Sequence, residues 1–149
     1  MSRILYIEDE FTNRLLIKRV LEAQGHVVFE AESGTSGLQM AQACNPDLIL
    51  MDINLPDIDG YECTARLRKM PDFNTLPIIA LTANAMVGDA DKALAAGCDG
   101  YISKPIDVDT LPRQVMNFIN AHSSKGIPLR DAPLSGGPGR IPGRDRRTT

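Results

Sequence analysis

The chain has 149 residues, of which 43% are apolar and 23% charged, with a formal net charge of −3. That balance excludes a disordered or collagen-like chain and fits roughly one soluble globular domain. No uninterrupted apolar run, including residues 48–51 and 78–81, approaches the ~20 residues that a membrane helix needs.

Residues 4–7 form a short apolar run ending in Glu8-Asp9-Glu10 and read as a first strand. Phe11, Leu15, Leu16, Val20 and Leu21 recur at helical spacing until Gly25 stops the helix. Residues 26–31 (HVVFEA) are a second strand. A second helix over 38–44 is entered through Ser33-Gly34 and closed by Asn45-Pro46. Residues 47–52 (DLILMD) are a third strand, apolar through its middle. A helix over 60–69 leads into a turn at Met70-Pro71-Asp72 and a fourth strand over 76–82. An Ala-rich helix near 85–96 stops at Gly97, and 101–103 form a short fifth strand. The last helix spans 107–121, with Asp107 or Asp109 as N-cap. Pro112 falls in or just past its first turn, where a mild kink is expected.

Five βα units in succession predict an α/β fold, a doubly wound five-stranded parallel sheet with helices on both faces. Runs such as LILM and PIIAL are apolar on both strand faces, as buried parallel strands are. Residues 1–122 carry 10 basic and 17 acidic residues, a net of −7; residues 123–149 carry 6 and 2, a net of +4. The latter segment is rich in proline and glycine, with no apolar period, and is expected to be a disordered basic tail. Its arginines, from Arg140 to Arg147, lack the aromatics or helical period of a nucleic-acid or membrane surface. The folded unit is therefore expected over 1–122. Without signal-peptide anatomy or CxxC spacing among Cys44, Cys63 and Cys98, a cytoplasmic chain with reduced thiols is expected. His26 and His122 read as ordinary surface histidines.

Doubly wound sheets bind ligands beyond the carboxyl ends of their strands, at the point where the strand order switches. In the order 2-1-3-4-5 that point lies between strands 1 and 3. Strand 1 runs into Glu8-Asp9 and strand 3 ends in Asp52. Strand 4 ends in Thr82, and Lys104 follows strand 5. Two carboxylates about 5 Å apart repel by roughly 3 kcal/mol at an effective dielectric near 20. The acids therefore need a cation or raised pKa values. Lys104 supplies one charge, and a hard divalent ion such as Mg²⁺ is the natural complement. Carboxylate, hydroxyl, amine and metal together make a site for phosphoryl transfer.

Glu8-Asp9, Asp52-Ile53-Asn54-Leu55-Pro56 with Gly60, Leu81-Thr82-Ala83 and Lys104-Pro105, in this order and spacing, resemble the receiver domain of bacterial response regulators. The resemblance covers about residues 3–121. PDLILMDINLP, LTANAM and GCDGYISKPI look like the stand-alone, single-domain receivers of the DivK type. The resemblance implies a CheY-like, flavodoxin-like (βα)5 fold. It implies that Asp52 accepts a phosphoryl group from the phosphohistidine of a sensor kinase or phosphotransfer protein. Asp9, Asp52 and the backbone carbonyl of Asn54 would bind Mg²⁺, with Glu8 assisting through water. Lys104 would pair with the acyl phosphate and Thr82 would hydrogen-bond it. Tyr101 matches an aromatic switch position, Asn54 and Asn84 match positions that tune dephosphorylation, and Lys104-Pro105 matches a bond usually cis.

Two other classes compete. A haloacid dehalogenase-type phosphatase also uses a strand-end aspartate, Mg²⁺ and a lysine, but wants a second aspartate where this chain has Asn54. A receiver-like interaction module that is never phosphorylated would usually lack an acid or the lysine, and this chain keeps them all. A phosphorylatable switch rather than an enzyme with an external substrate is expected. Its readout surface is expected on the outer face of helix 4, strand 5 and helix 5, near Ala85, Ala93, Tyr101 and Ile106. Twenty-seven residues after 122 are too few for a DNA-binding domain, so the expected output is a contact with a downstream protein, or relay of the phosphoryl group to another histidine, by a monomer or weak dimer, with no direct nucleic-acid or membrane binding.

Overall fold

The computed structural model of the protein describes residues 2–83 and 88–123. Asn84, Ala85, the side chain of His122 and the expected tail from residue 124 lie outside the described residues. In chain order the elements are β1 (Arg3–Ile7), α1 (Phe11–Glu22), β2 (Val27–Ala31), α2 (Gly34–Cys44), β3 (Leu48–Asp52) and α3 (Gly60–Arg68). A single 3₁₀ turn (Pro71–Phe73) then precedes β4 (Ile78–Thr82), α4 (Asp89–Ala96), β5 (Gly100–Ser103) and α5 (Leu111–Ser123). The five strands pair in parallel in the order β2-β1-β3-β4-β5, the order the sequence predicts.

The sheet is the centre of two apolar layers, and the period of 2 along each strand sorts residues between them. Leu5, Ile7, Ile49, Met51, Ile78 and Ala80 face α2, α3 and α4 through Ala41, Cys44, Cys63, Leu67 and Ala93. Ile4, Tyr6, Leu48, Leu50, Ile79, Leu81 and Ile102 face α1 and α5 through Ile17, Leu21, Leu111, Val115 and Ile119. Every residue of β3 and β4 is buried, which is why those segments carry no alternating pattern in the sequence.

Three helices start elsewhere than the apolar pattern places them; α4 begins at Asp89, behind Gly88 as N-cap, rather than near 85. The α2 helix begins at Gly34 rather than near 38, because Ser33 and Ser36 cap it reciprocally. Ser36 N–H donates to Ser33 Oγ at 3.1 Å and Ser33 N–H to Ser36 Oγ at 3.0 Å. Its first turns are small residues, which leave no hydrophobic signature but let the helix approach β1. A Cβ on Gly37 would lie 2.5 Å from Ile7 Cδ1. The α5 helix begins at Leu111, later than residue 107. The Asp107 carboxylate accepts from Asp109 N–H at 2.9 Å, and its carbonyl accepts from Leu111 N–H at 3.0 Å. Residues 107–110 are thus a turn feeding the helix, and neither Asp107 nor Asp109 is its N-cap. Pro112 becomes the second helical residue, where no amide is needed.

His26 is buried, not on the surface, and neither ring nitrogen has a partner among the described residues. Burial lowers its pKa. Close packing also fixes the start of α3. A Cβ on Gly60 would lie 2.5 Å from the Asp52 carbonyl oxygen and 2.8 Å from Ile53 Cα, both backbone atoms that cannot rotate away. Gly60→Ala is therefore expected to lower stability by about 1–3 kcal/mol, measured by urea unfolding; an unchanged midpoint and slope would refute the close approach.

Candidate functional site

Register brings the polar residues together. Ile7 pairs with Met51, so Glu8 and Asp52 emerge side by side at the ends of β1 and β3. Asp52 pairs with Leu81, and Thr82 with Ser103, so Thr82 and then Lys104 complete the same edge. Glu8, Asp52 and Thr82 therefore sit at the carboxyl ends of buried strands, and Lys104 follows the edge strand β5.

Glu8, Asp9 and Asp52 each offer a carboxylate oxygen within 4.8 Å of the others. Glu8 and Asp52 are 1% and 2% exposed, whereas Asp9 faces solvent. Lys104 Nζ lies 3.1 Å from Asp52 Oδ1 and 3.4 Å from Glu8 Oε1. Asn54 N–H donates to Asp52 Oδ1 at 3.2 Å. Thr82 is 1% exposed, and its carbonyl accepts from Lys104 N–H at 2.8 Å. The Lys104-Pro105 peptide bond is cis.

The electrostatics follow from that crowding. Burial raises the Glu8 pKa, and the neighbouring Asp52 carboxylate raises it further, against the opposing pull of Lys104. Burial by itself would lower Lys104, but the Asp52 and Glu8 carboxylates outweigh it and its pKa is raised. One amine thus faces two buried carboxylates with a third beside them. The donor set is all oxygen, which suits a hard cation such as Mg²⁺ rather than a soft one.

Three supporting residues were not singled out from the sequence. Tyr6, on the same face of β1 as Glu8, donates its hydroxyl to Glu8 Oε1 at 3.1 Å. Arg14 is buried among the apolar positions of α1 and donates from Nη1 to the Glu8 carbonyl at 2.7 Å. It also lies 3.4 Å from Glu30 Oε1. Asp57 receives the first amides of α2, and the Thr35 hydroxyl and amide hold its carboxyl well below the usual carboxylate range. The legible signals were a period-2 neighbour for Tyr6 and an arginine in a helical apolar stripe for Arg14; Asp57 gave none.

The family model of the response regulator receiver domain matches residues 4–116. The chain belongs to this family. The polar-differentiation response regulator DivK of Brucella ovis is 37% identical to this receiver over 116 residues, covering 78% of this chain and 94% of its own. Among solved structures, the chemotaxis response regulator CheY4 of Vibrio cholerae superposes with a TM-score of 0.75 at 27% identity, over 78% of this chain and 97% of that one. The receiver domain of a Pseudomonas aeruginosa sensor histidine kinase, solved with a magnesium ion coordinated in its active site cleft, gives a TM-score of 0.75 at 36% identity, over 80% and 98%. The chain is thus a CheY-like receiver of two-component signalling, and receivers are signalling proteins rather than conventional enzymes.

The expected readout residues divide. Tyr101 is 43% exposed on β5, and Ile106 is partly buried against the α1/α5 layer. Ala93 is fully buried in the other layer, so it cannot belong to an outer face. In α4 the alanine-rich stretch gives little contrast between inner and outer positions, which is why the sequence misplaces it. None of the described helices is long and apolar enough to cross a membrane.

Proposed function

We propose that this receiver is a phosphorylatable switch in which Asp52 is the phosphoacceptor. The observation that carries this is the ion pair of Lys104 with Asp52 at 3.1 Å, inside a cluster of three carboxylates. Asp9, Asp52 and the Asn54 carbonyl would hold Mg²⁺, with Glu8 assisting through water. Bound there, the ion would supply positive charge to the equatorial oxygens of the transferred group. An Asp52 carboxylate oxygen attacks phosphorus, the P–N bond of the phosphohistidine breaks, and the electron pair stays with the departing imidazole. Lys104 pairs with the new acyl phosphate, and Thr82 donates its hydroxyl to it.

The donor is a sensor histidine kinase or a histidine phosphotransfer protein. Support for a protein donor comes from α1, where Phe11 is 63% exposed beside exposed Leu15 and Leu16. A cavity of about 310 Å³ continues this apolar strip between α1 and Lys104, Pro105 and Ile106. Phosphorylation adds roughly −1.5 to −2 of charge. Thr82 and Lys104 move toward it, Tyr101 turns inward as Thr82 leaves, and the β5–α5 surface changes for a downstream protein. A cavity of about 350 Å³ lined by Tyr101, Ser103, Asp107, Thr110 and Gln114 lies on that surface. Residues 1–122 form the switching unit, and it works in the cytoplasm.

The test is incubation with acetyl phosphate, with and without Mg²⁺, read by intact mass beside Asp52→Asn. One phosphoryl adduct that needs both Mg²⁺ and Asp52 is the expected result. A folded, Mg²⁺-binding protein that takes no adduct from acetyl phosphate or from phosphohistidine donors overturns the proposal.

A further inference from the structure

The loop between β3 and α3 carries both Asp52, at its start, and the Asn54 carbonyl. Its two ends are tied by backbone bonds: Ile53 N–H donates to the Leu81 carbonyl at 3.2 Å, and Gly60 N–H to the Ile53 carbonyl at 2.9 Å. Its middle is tied to a different element. Asp57 Oδ1 accepts from Gly34 N–H at 2.8 Å and Asp57 Oδ2 accepts from Thr35 N–H at 2.9 Å. Both carboxylate oxygens are therefore engaged by the first two amides of α2, where a negative charge is favoured.

The contact is close as well as polar. A Cβ on Gly34 would collide with Ile58 Cγ1 and lie 2.9 Å from the Ile58 carbonyl oxygen. The next amide of α2, Ser36 N–H, is taken by Ser33 Oγ at 3.1 Å, so the helix has its own cap in addition to Asp57. The loop is thus fastened at Ile53 and again at Asp57, which leaves only Asn54, Leu55 and Pro56 between the two anchors.

We propose that Asp57 is a positioning residue for the metal subsite: by clipping the loop to the N-terminus of α2 it fixes where the Asn54 carbonyl stands relative to Asp9 and Asp52. This rests on the proposed reading of Asp52 and its Mg²⁺. A role confined to capping α2 would make Asp57 equivalent to Ser33, whose side chain caps the same helix by hydrogen bonds to Ser36 and not to the loop.

The experiment compares the full-length protein with Asp57→Ala, Asp57→Asn and Ser33→Ala. Mg²⁺ binding is followed by calorimetry, and the Mg²⁺ concentration for half-maximal phosphorylation by acetyl phosphate is measured in parallel with the thermal midpoint. Asp57→Ala is expected to raise the half-saturating Mg²⁺ concentration about 10-fold, as loss of an outer support of a metal site does. Asp57→Asn, which keeps one carbonyl acceptor, recovers part of that shift. Ser33→Ala lowers the thermal midpoint but moves half-saturation by less than about twofold. Half-saturation in Asp57→Ala equal to wild type, or an equal shift in Ser33→Ala, overturns the clip alone. A folded wild-type protein that binds no Mg²⁺ overturns the clip together with the reading on which it rests.

Discussion

Arg68→Ala is expected to lower the unfolding free energy by about 3–5 kcal/mol, the range for removing one partner of a buried ion pair. Arg68 reaches from the end of α3 to four separate groups. Its Nε donates to the Gly97 carbonyl at 2.9 Å, and its Nη1 donates to the Phe73 and Leu76 carbonyls, each at 2.7 Å. Its Nη2 meets Asp99 Oδ2 at 2.8 Å, with both side chains largely buried. The same Asp99 oxygen accepts from Ile78 N–H at 2.9 Å, at the start of β4. Alanine strands a buried carboxylate and removes the donor from three carbonyls, and leaving such groups unmatched costs more than the bonds themselves contribute. Lysine cannot reproduce the planar fork and recovers only part of the loss. Urea unfolding measures the effect. Adding Asp99→Asn to the alanine variant should recover some stability, because the uncompensated charge is gone while an acceptor for Ile78 remains. A loss under about 1 kcal/mol would mean that the pair is as inconsequential as an exposed one. Arg68 sits at the amino ends of β4 and β5, away from Asp52, so folded variant should accept phosphoryl groups as wild type does.

Lys104→Met removes a positive charge at the opposite end of the sheet. On the proposed chemistry it slows adduct formation from acetyl phosphate by about 10²–10³-fold, the typical cost of removing one group that stabilises developing negative charge. Mg²⁺ affinity should hold or tighten, since the amine no longer competes with a cation for Glu8 and Asp52. Glu8, already raised by burial and by Asp52, loses the lowering influence of Lys104, keeps that of the Glu10 amide, and should rise further. Metal binding at low pH weakens accordingly. Rate by intact mass and affinity by calorimetry decide the matter: a parallel fall in both would mean that Lys104 supports the site's structure instead of the transferred group.

The parts of the fold legible in the sequence are those set by burial on both faces of a strand. Residues 48–52 and 78–82, short apolar runs alternating with helices, read as central parallel strands, and the switch in strand order then puts Glu8, Asp52, Thr82 and Lys104 on one edge. The illegible parts depend on contacts between distant positions. Asp57 meets Gly34 across 23 residues and Arg68 meets Asp99 across 31. A charged residue in sequence reads as a solvated one, so Arg68 gives no sign of being buried, and Arg14 shows it only by standing in the apolar stripe of α1. The start of α2 is written in serines and glycines, and hydrophobic periodicity is blind to both. The burial of His26 is hidden for the same reason: a polar residue opening a strand is ordinarily wet.

The separation of 96 positions between Glu8 and Lys104 also sets an order of assembly. A chain leaving the ribosome presents β1 and β3, with their acids, well before it presents the amine that compensates them. Because β5 is an edge strand beside β4, it can add to the growing sheet without parting strands already paired. Its arrival delivers Lys104 and fixes it to β4 through the Thr82 carbonyl. On the proposed chemistry, a half-made receiver reacts slowly, and full competence to receive a signal comes with the same strand that completes the sheet.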